Sequence, residues 1–315
     1  MRFGGPVIAL TCGALSCLAG CSAILGIDDL VADRDGGAAS GSGSGSGGAC
    51  NGTCGTPGCA ACPDTTVVVV EAAAGTFAID RYEVTNADYA AFLATNPSLG
   101  LGLHPECDWN DSFQPGAVTQ SALAAAADAG LPSEDPTVKC QEWANTFGGP
   151  ELPVACVDWC DASAYCAWAG KRLCGRFQSA GGGQYLVTDG PGPHADPATS
   201  EWFAACSGSG ATDYPYGDPY EMLRCNDKVS GTKKVGSFAK CEGGYPGIFD
   251  MSGNVGEWDN ACTDYNDPDV LQNCLSRGGS WYEGMLELRC DTFRDLKRHT
   301  MGDGVGFRCC SDSGG

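Results

Sequence analysis

The chain has 315 residues, and its 18 Lys+Arg against 39 Asp+Glu give a formal charge of −21. Such acidity repels phosphate backbones and excludes a nucleic-acid reader, while 43% hydrophobic residues suffice for one large or two small cores. Twenty-one cysteines are too many to keep as inert thiols and place the chain in an oxidising compartment rather than the cytosol.

Residues 1–20 read as a secretory signal. Arg2 precedes an apolar stretch, 6–19, that is too short to span a bilayer. It ends in Leu18, Ala19, Gly20 and Cys21, which resembles a bacterial lipoprotein signal and predicts lipidation of Cys21. An ordinary signal peptide cut near Ala19 is the alternative. Ser22, rather than Asp, is what outer-membrane sorting signals look like, so the expected location is the cell envelope, lipid-anchored in a bacterial outer membrane. Setting aside Cys12, Cys17 and Cys21 leaves 18 cysteines, an even number that can all pair.

Residues 21–49 follow as anchor and tether, since DRDGGAASGSGSGSGG at 33–48 cannot bury enough surface to fold. A Cys-rich segment, 50–64, carries Cys50, Cys54, Cys59 and Cys62. Four cysteines this close suit zinc or disulfides. The spacing is not a paired CxxC and the chain is exported, which favours disulfides.

From 65 to 312 the text is globular. Strands are predicted at 67–70 and 77–80, and a helix at 85–94 with Thr85 as N-cap and Tyr89, Phe92 and Leu93 on one face. Residues 96–147 look like loop, with Cys107, Cys140 and an Ala-rich patch at 122–129. A second helix is predicted at 158–169, with Ala162, Tyr165, Cys166 and Ala169 on one face. The Gly/Pro-rich 175–200 stretch reads as an exposed excursion, and the remaining half has many aromatics and Gly turns but little helical period.

Eight stretches in order carry a family resemblance: AIDRYEVTNADYAAFL (78–93), VDWCDASAYCAWAGKRL (157–173), EWFAAC (201–206), YPYGD (214–218), VGSF (235–238), GIFDMSGNVGEW (247–258), RGGSW (277–281) and GVGFRCC (304–310). Together they resemble the formylglycine-generating enzyme or sulfatase-modifying factor domain. The resemblance implies an irregular α+β fold related to C-type lectins, disulfide-rich and poor in regular secondary structure, over 65–312. It implies a structural calcium at Asp250, Gly253, Val255 and Glu257, two carboxylates and two backbone carbonyls being suitable hard donors; a turn with solvated acids is the plainer reading. A second calcium position would begin at Asn226, followed here by a much shorter loop. It also implies the pairs Cys166–Cys309 and Cys206–Cys290. Adjacent Cys309 and Cys310 cannot easily bond each other, so Cys310 needs a separate partner.

Catalytic members oxidise a substrate cysteine with Cu(I) held by two thiolates, soft ligands for a soft ion. The positions that match these ligands are Glu283 and Leu288, and the loop before Cys290 is about three residues shorter than in the enzymes. Copper is therefore not expected. The resemblance places Arg277, Ser280, Trp281, Tyr282 and Glu283, with Arg289 and Arg294, along a groove for an extended peptide; a core Trp281 with arginines paired to local acids is the alternative. Related iron enzymes use a histidine cluster. His104, His194 and His299 share no ligand spacing here and read as surface residues. Asp28 with Asp29 and Glu283 with Glu287 read as solvated acid pairs, and no hydrolase or nucleotide-binding motif occurs.

The expected function is thus an envelope-anchored, calcium-stabilised binding or scaffolding module. It has no copper pair, touches the membrane through its anchor, and takes an extended peptide or envelope protein as partner. An oxidoreductase acting on a peptide cysteine or thiol at an unrecognised metal site is the alternative.

Overall fold

A computed structural model describes residues 52–57, 59–63, 65–98, 105–117, 140, 149–177, 185–186, 193–262 and 269–312. The signal, Cys21, the tether, Asp28, Asp29, His104 and the 122–129 patch lie outside the described residues.

Strands β1 (Val67–Ala72) and β2 (Gly75–Asp80) form a hairpin. The predicted first helix is α1 (Asn86–Ala94), held by a capping box in which Thr85 Oγ1 accepts from the Asp88 amide at 3.2 Å. The second is α2 (Trp159–Trp168), whose Asp158–Asp161 box is buried. Burial pushes the Asp158 carboxyl up to about 7. After β3 (Arg172–Leu173) and β4 (Tyr185–Leu186) comes α3 (Glu201–Ser207), capped by Ser200 and stopped by left-handed Gly208. The aperiodic C-terminal half supplies β5 (Gly256–Cys262), β6 (Asn273–Arg277), β7 (Phe293–Lys297), β8 (Val305–Gly306) and β9 (Cys309–Asp312).

These strands make two sheets, one in the order β1-β2-β9-β3 and one in the order β4-β5-β6-β7 with β8 paired to β5. The chain's last strand therefore returns between β2 and β3, joining its ends in one sheet. The larger core packs Tyr89, Phe92, Tyr165, Trp168, Trp258 and Phe307 between α1, α2 and the second sheet. The smaller one gathers Phe77, Ile79, Trp202, Ile248 and Met251. The 175–200 stretch is not simply an exposed excursion. β4 pairs with β5 in parallel, and His194 and Ser200 are buried.

All 17 cysteines among the described residues are disulfide-bonded. Cys166–Cys309 and Cys206–Cys290 form as the resemblance implies. Cys310 pairs with Cys174. Neighbours on a strand point to opposite faces, so Cys309 reaches α2 while Cys310 reaches the segment after β3. Cys54–Cys62 and the bonded Cys59 make the Cys-rich segment a disulfide staple.

Candidate functional site

The GNVGEW turn enters β5 over a buried charge network. The Glu257 carboxylate accepts from Arg308 Nε at 2.8 Å, from Arg308 Nη2 at 2.6 Å and from Trp202 Nε1 at 2.8 Å. Arg308 donates further to the carbonyls of Asp80 at 3.1 Å and Phe249 at 2.8 Å, which ties β5, β9 and the start of the fold to one guanidinium. Planar, five-donor geometry makes this possible for Arg and not for Lys.

Two more carboxylates share that positive charge. Glu83 accepts from Asn254 Nδ2 at 3.0 Å and the Val255 amide at 3.3 Å. Asp250, at φ 60°, accepts from the Gly236 amide at 2.6 Å. Burial, reinforced by Asp250, holds Glu83 well above the usual carboxylate range. Burial pushes Asp250 up to about 6, against the pull of the Gly236 amide and Arg308. Gly253 is required as glycine: at φ +76° a Cβ would stand 2.4 Å from the Asn226 carbonyl oxygen. Asn226 donates through Nδ2 to Asn254 Oδ1 at 2.8 Å, and its own Oδ1 is buried without a partner.

These residues fit calcium in part. Glu257 is already neutralised by Arg308, so a cation on its oxygens would face a guanidinium. Asp250 with Glu83 holds buried charge that one arginine does not balance, and Asn226 Oδ1 is an orphaned hard donor, both of which suit a hard cation. Among the described residues, no group of three or more His, Cys, Asp or Glu side chains converges on a metal position.

The expected groove divides. Arg277 does not line it. The residue is fully buried on β6, its Nε donates to Asp259 Oδ2 at 2.5 Å, its Nη2 donates to the His194 carbonyl at 2.9 Å, and its guanidinium lies 5.5 Å from the Trp202 ring. Strand alternation aims it inward, where desolvation demands a full set of partners. Ser280 is likewise buried, donating to Glu283 Oε2 at 2.9 Å. His194 is no surface residue either: its ring packs on Phe293 at 4.1 Å between centroids, and burial beside Arg277 pushes it down to about 4.

Beyond Ser280 the chain comes to the surface. Trp281 is half-buried, donates from Nε1 to the Asp303 carbonyl at 3.3 Å and stands perpendicular to the exposed Tyr282. Glu283 pairs with Arg294 at 2.7 Å, and Arg294 also donates to the Tyr282 hydroxyl at 3.1 Å. Arg289 is paired to Asp213 and Asp291. Leu288 is buried beneath the loop, and Cys290 is bonded to Cys206. The two positions that match the copper ligands are thus an ion-paired acid and a core leucine.

Sequence reasoning missed the surface next to this loop. Tyr214 stacks on Tyr216 and packs against Tyr220, and its hydroxyl donates to the Met285 carbonyl at 2.8 Å. Met285, Leu286, Met222 and Leu223 are exposed, between 49% and 65%. The YPYGDPY run at 214–220 was the available signal. Glu83, Asn254 and Asp259 gave none, since buried acids and amides look like surface ones in one dimension.

Residues 54–313 match the family model of the sulfatase-modifying factor enzyme 1-like domain. The inactive Cα-formylglycine-generating enzyme 2 of Bos taurus is 31% identical over 183 residues, 52% of each chain. This chain thus spans about half the length of the first curated relatives it matches. The formylglycine-generating enzyme of Thermomonospora curvata is 27% identical over 282 residues, 75% of this chain and 82% of that one. Among solved structures, PvdO from Pseudomonas aeruginosa aligns with TM-score 0.43 and 21% identity over 76% of this chain and 81% of its own.

Proposed function

Because the chain belongs to the sulfatase-modifying factor enzyme 1-like family, we propose that it is a member without the copper chemistry, working as a binding module whose recognition surface is the loop at 281–289. The observation that carries this is that every described cysteine is tied in a disulfide, Cys290 included, with Glu283 and Leu288 at the matching ligand positions. No described thiolate is left to hold Cu(I). The bovine relative named as inactive supports the same reading. In this proposal Cys21 carries the lipid anchor, the Gly/Ser tether holds the domain off a bacterial outer membrane, and an extended segment of an envelope protein is the ligand. A calcium ion at the GNVGEW turn, near Asp250 and Asn226 rather than on Glu257, completes it.

The test has three arms. Alkylation of the full chain under denaturing, non-reducing conditions should add no label to the domain. Incubation with Cu(I), oxygen and a cysteine peptide should leave the cysteine unconverted by mass spectrometry. Formylglycine formation would overturn the reading. A photo-crosslinker at Tyr282 should capture a partner that one at Val69, on the hairpin, does not.

A further inference from the structure

The Cys225–Cys241 disulfide closes a loop that inverts the charge of this acidic chain. It holds Lys228, Lys233, Lys234 and Lys240 against a single acid, Asp227, in a chain with 39 acids and 18 basic residues. Asp227 is buried, accepting from the Tyr220 hydroxyl and from the Leu223 amide at 2.8 Å. Its charge is turned inward while the lysines remain outside. Lys234 pairs with Glu151, but among the described residues no carboxylate pairs with exposed Lys228 or Lys240.

This loop borders the exposed apolar shelf. Val229 donates to the Trp281 carbonyl at 3.1 Å, and Lys228 crosses Gly284 so closely that a Cβ there would stand 2.5 Å from its Cε. On the other side Arg224, lying over Tyr216 at 5.0 Å, donates from Nε to the Lys240 carbonyl at 2.8 Å, which ties the Lys240 segment to the one after Leu223. Lys228 therefore lies against the chain just before Met285 and Leu286, and Lys240 is tied through its carbonyl to Arg224, the residue after Met222 and Leu223.

We propose that this surface docks an acidic, extended peptide segment of a partner protein, its carboxylates on Lys228 and Lys240 and its apolar side chains on the Leu223 and Leu286 shelf. The inference rests on the reading of 281–289 as a recognition surface and adds its selectivity. Screening confines each charge to about 10 Å. A short segment can thus set its carboxylates on Lys228 and Lys240 and its apolar side chains over the positions next to Glu221 and Glu287, whereas a membrane plane or duplex extends over the surrounding acidic surface and is repelled.

The experiment titrates the oxidised full chain with three probes, followed by fluorescence anisotropy or vesicle sedimentation. The probes are a short labelled peptide alternating Asp and Leu, its Lys-for-Asp counterpart, and phosphatidylglycerol vesicles. The Asp peptide should bind and the Lys peptide should not, with affinity falling as salt rises. K228E/K240E should weaken binding roughly tenfold, about threefold for each lost pair, while K234E, at a lysine already paired, should leave it unchanged. Both variants alter exposed side chains and should melt with the parent. Equal binding of the two peptides, indifference to K228E/K240E, preference for the vesicles, or no binding by any probe each overturns the inference. If both peptides bind and L286D abolishes both, the recognition surface stands and only its charge selectivity falls.

Discussion

Two neighbouring pieces of the chain treat arginine in opposite ways. Under the GNVGEW turn, Arg308 and Arg277 are wholly buried, each facing a carboxylate as well as backbone carbonyls from distant segments. On the 281–289 loop and just beyond, Arg289 and Arg294 are part-exposed and pair with acids close to water. A buried pair stripped of one member leaves an uncompensated charge, while a surface pair contributes little. Loss of a buried arginine should therefore cost the fold more than loss of a part-exposed one.

The sharpest way to break this comparison is to cut the core's covalent frame. Replacing both Cys166 and Cys309 by Ser opens a loop with 143 positions between its ends. The chain-entropy model gives a loss of about 4 to 5 kcal/mol, which denaturant unfolding would read directly. Arg308→Met should cost about 3 to 5 kcal/mol by orphaning Glu257, whereas Arg289→Met on the loop should fall within about 0.5 kcal/mol of the parent. Equal losses at the two arginines would erase the distinction.

His194 sharpens the same contrast by pH. Its ring titrates near 6.5 when unfolded and is pushed down to about 4 in the fold by burial and by Arg277, with Asp291 opposing. Below about 6.5 the unfolded chain takes a proton that the folded one refuses, so stability should fall as pH drops from there toward 4. His194→Gln should remove that slope from the difference between variant and parent unfolding curves. The smallest stability effect is expected at Tyr282→Ala, within about 0.5 kcal/mol by denaturant unfolding.

The first two helices and the first two strands were legible because their signals are local, whereas the short helix at Glu201–Ser207 was not predicted. Thr85 and Asp158 start their helices as capping residues, and the strands expected at 67–70 and 77–80 are present, each longer by two residues. Strands β5 to β9 were not legible, since they are short and paired across long separations, so no single window holds their period. The disulfides Cys166–Cys309 and Cys206–Cys290 came from family resemblance, and Cys174 as partner of Cys310 needed the returning strand. In the site, Glu283 and Leu288 were named from the resemblance, and the ion pair of the one and the burial of the other came from the structure. The burial of Arg277, Ser280 and His194 was not legible.

The sequence by itself determined the disulfide-stapled character of the domain and its family, because composition and residue identity are one-dimensional facts. Only the tertiary structure decided which charges are buried and which meet water. Arg277 and Arg294 look alike along the chain. Strand direction and packing set one against Asp259 in the core and the other beside Glu283 near the surface, and desolvation then makes the first part of the fold's frame while the second stays close to water.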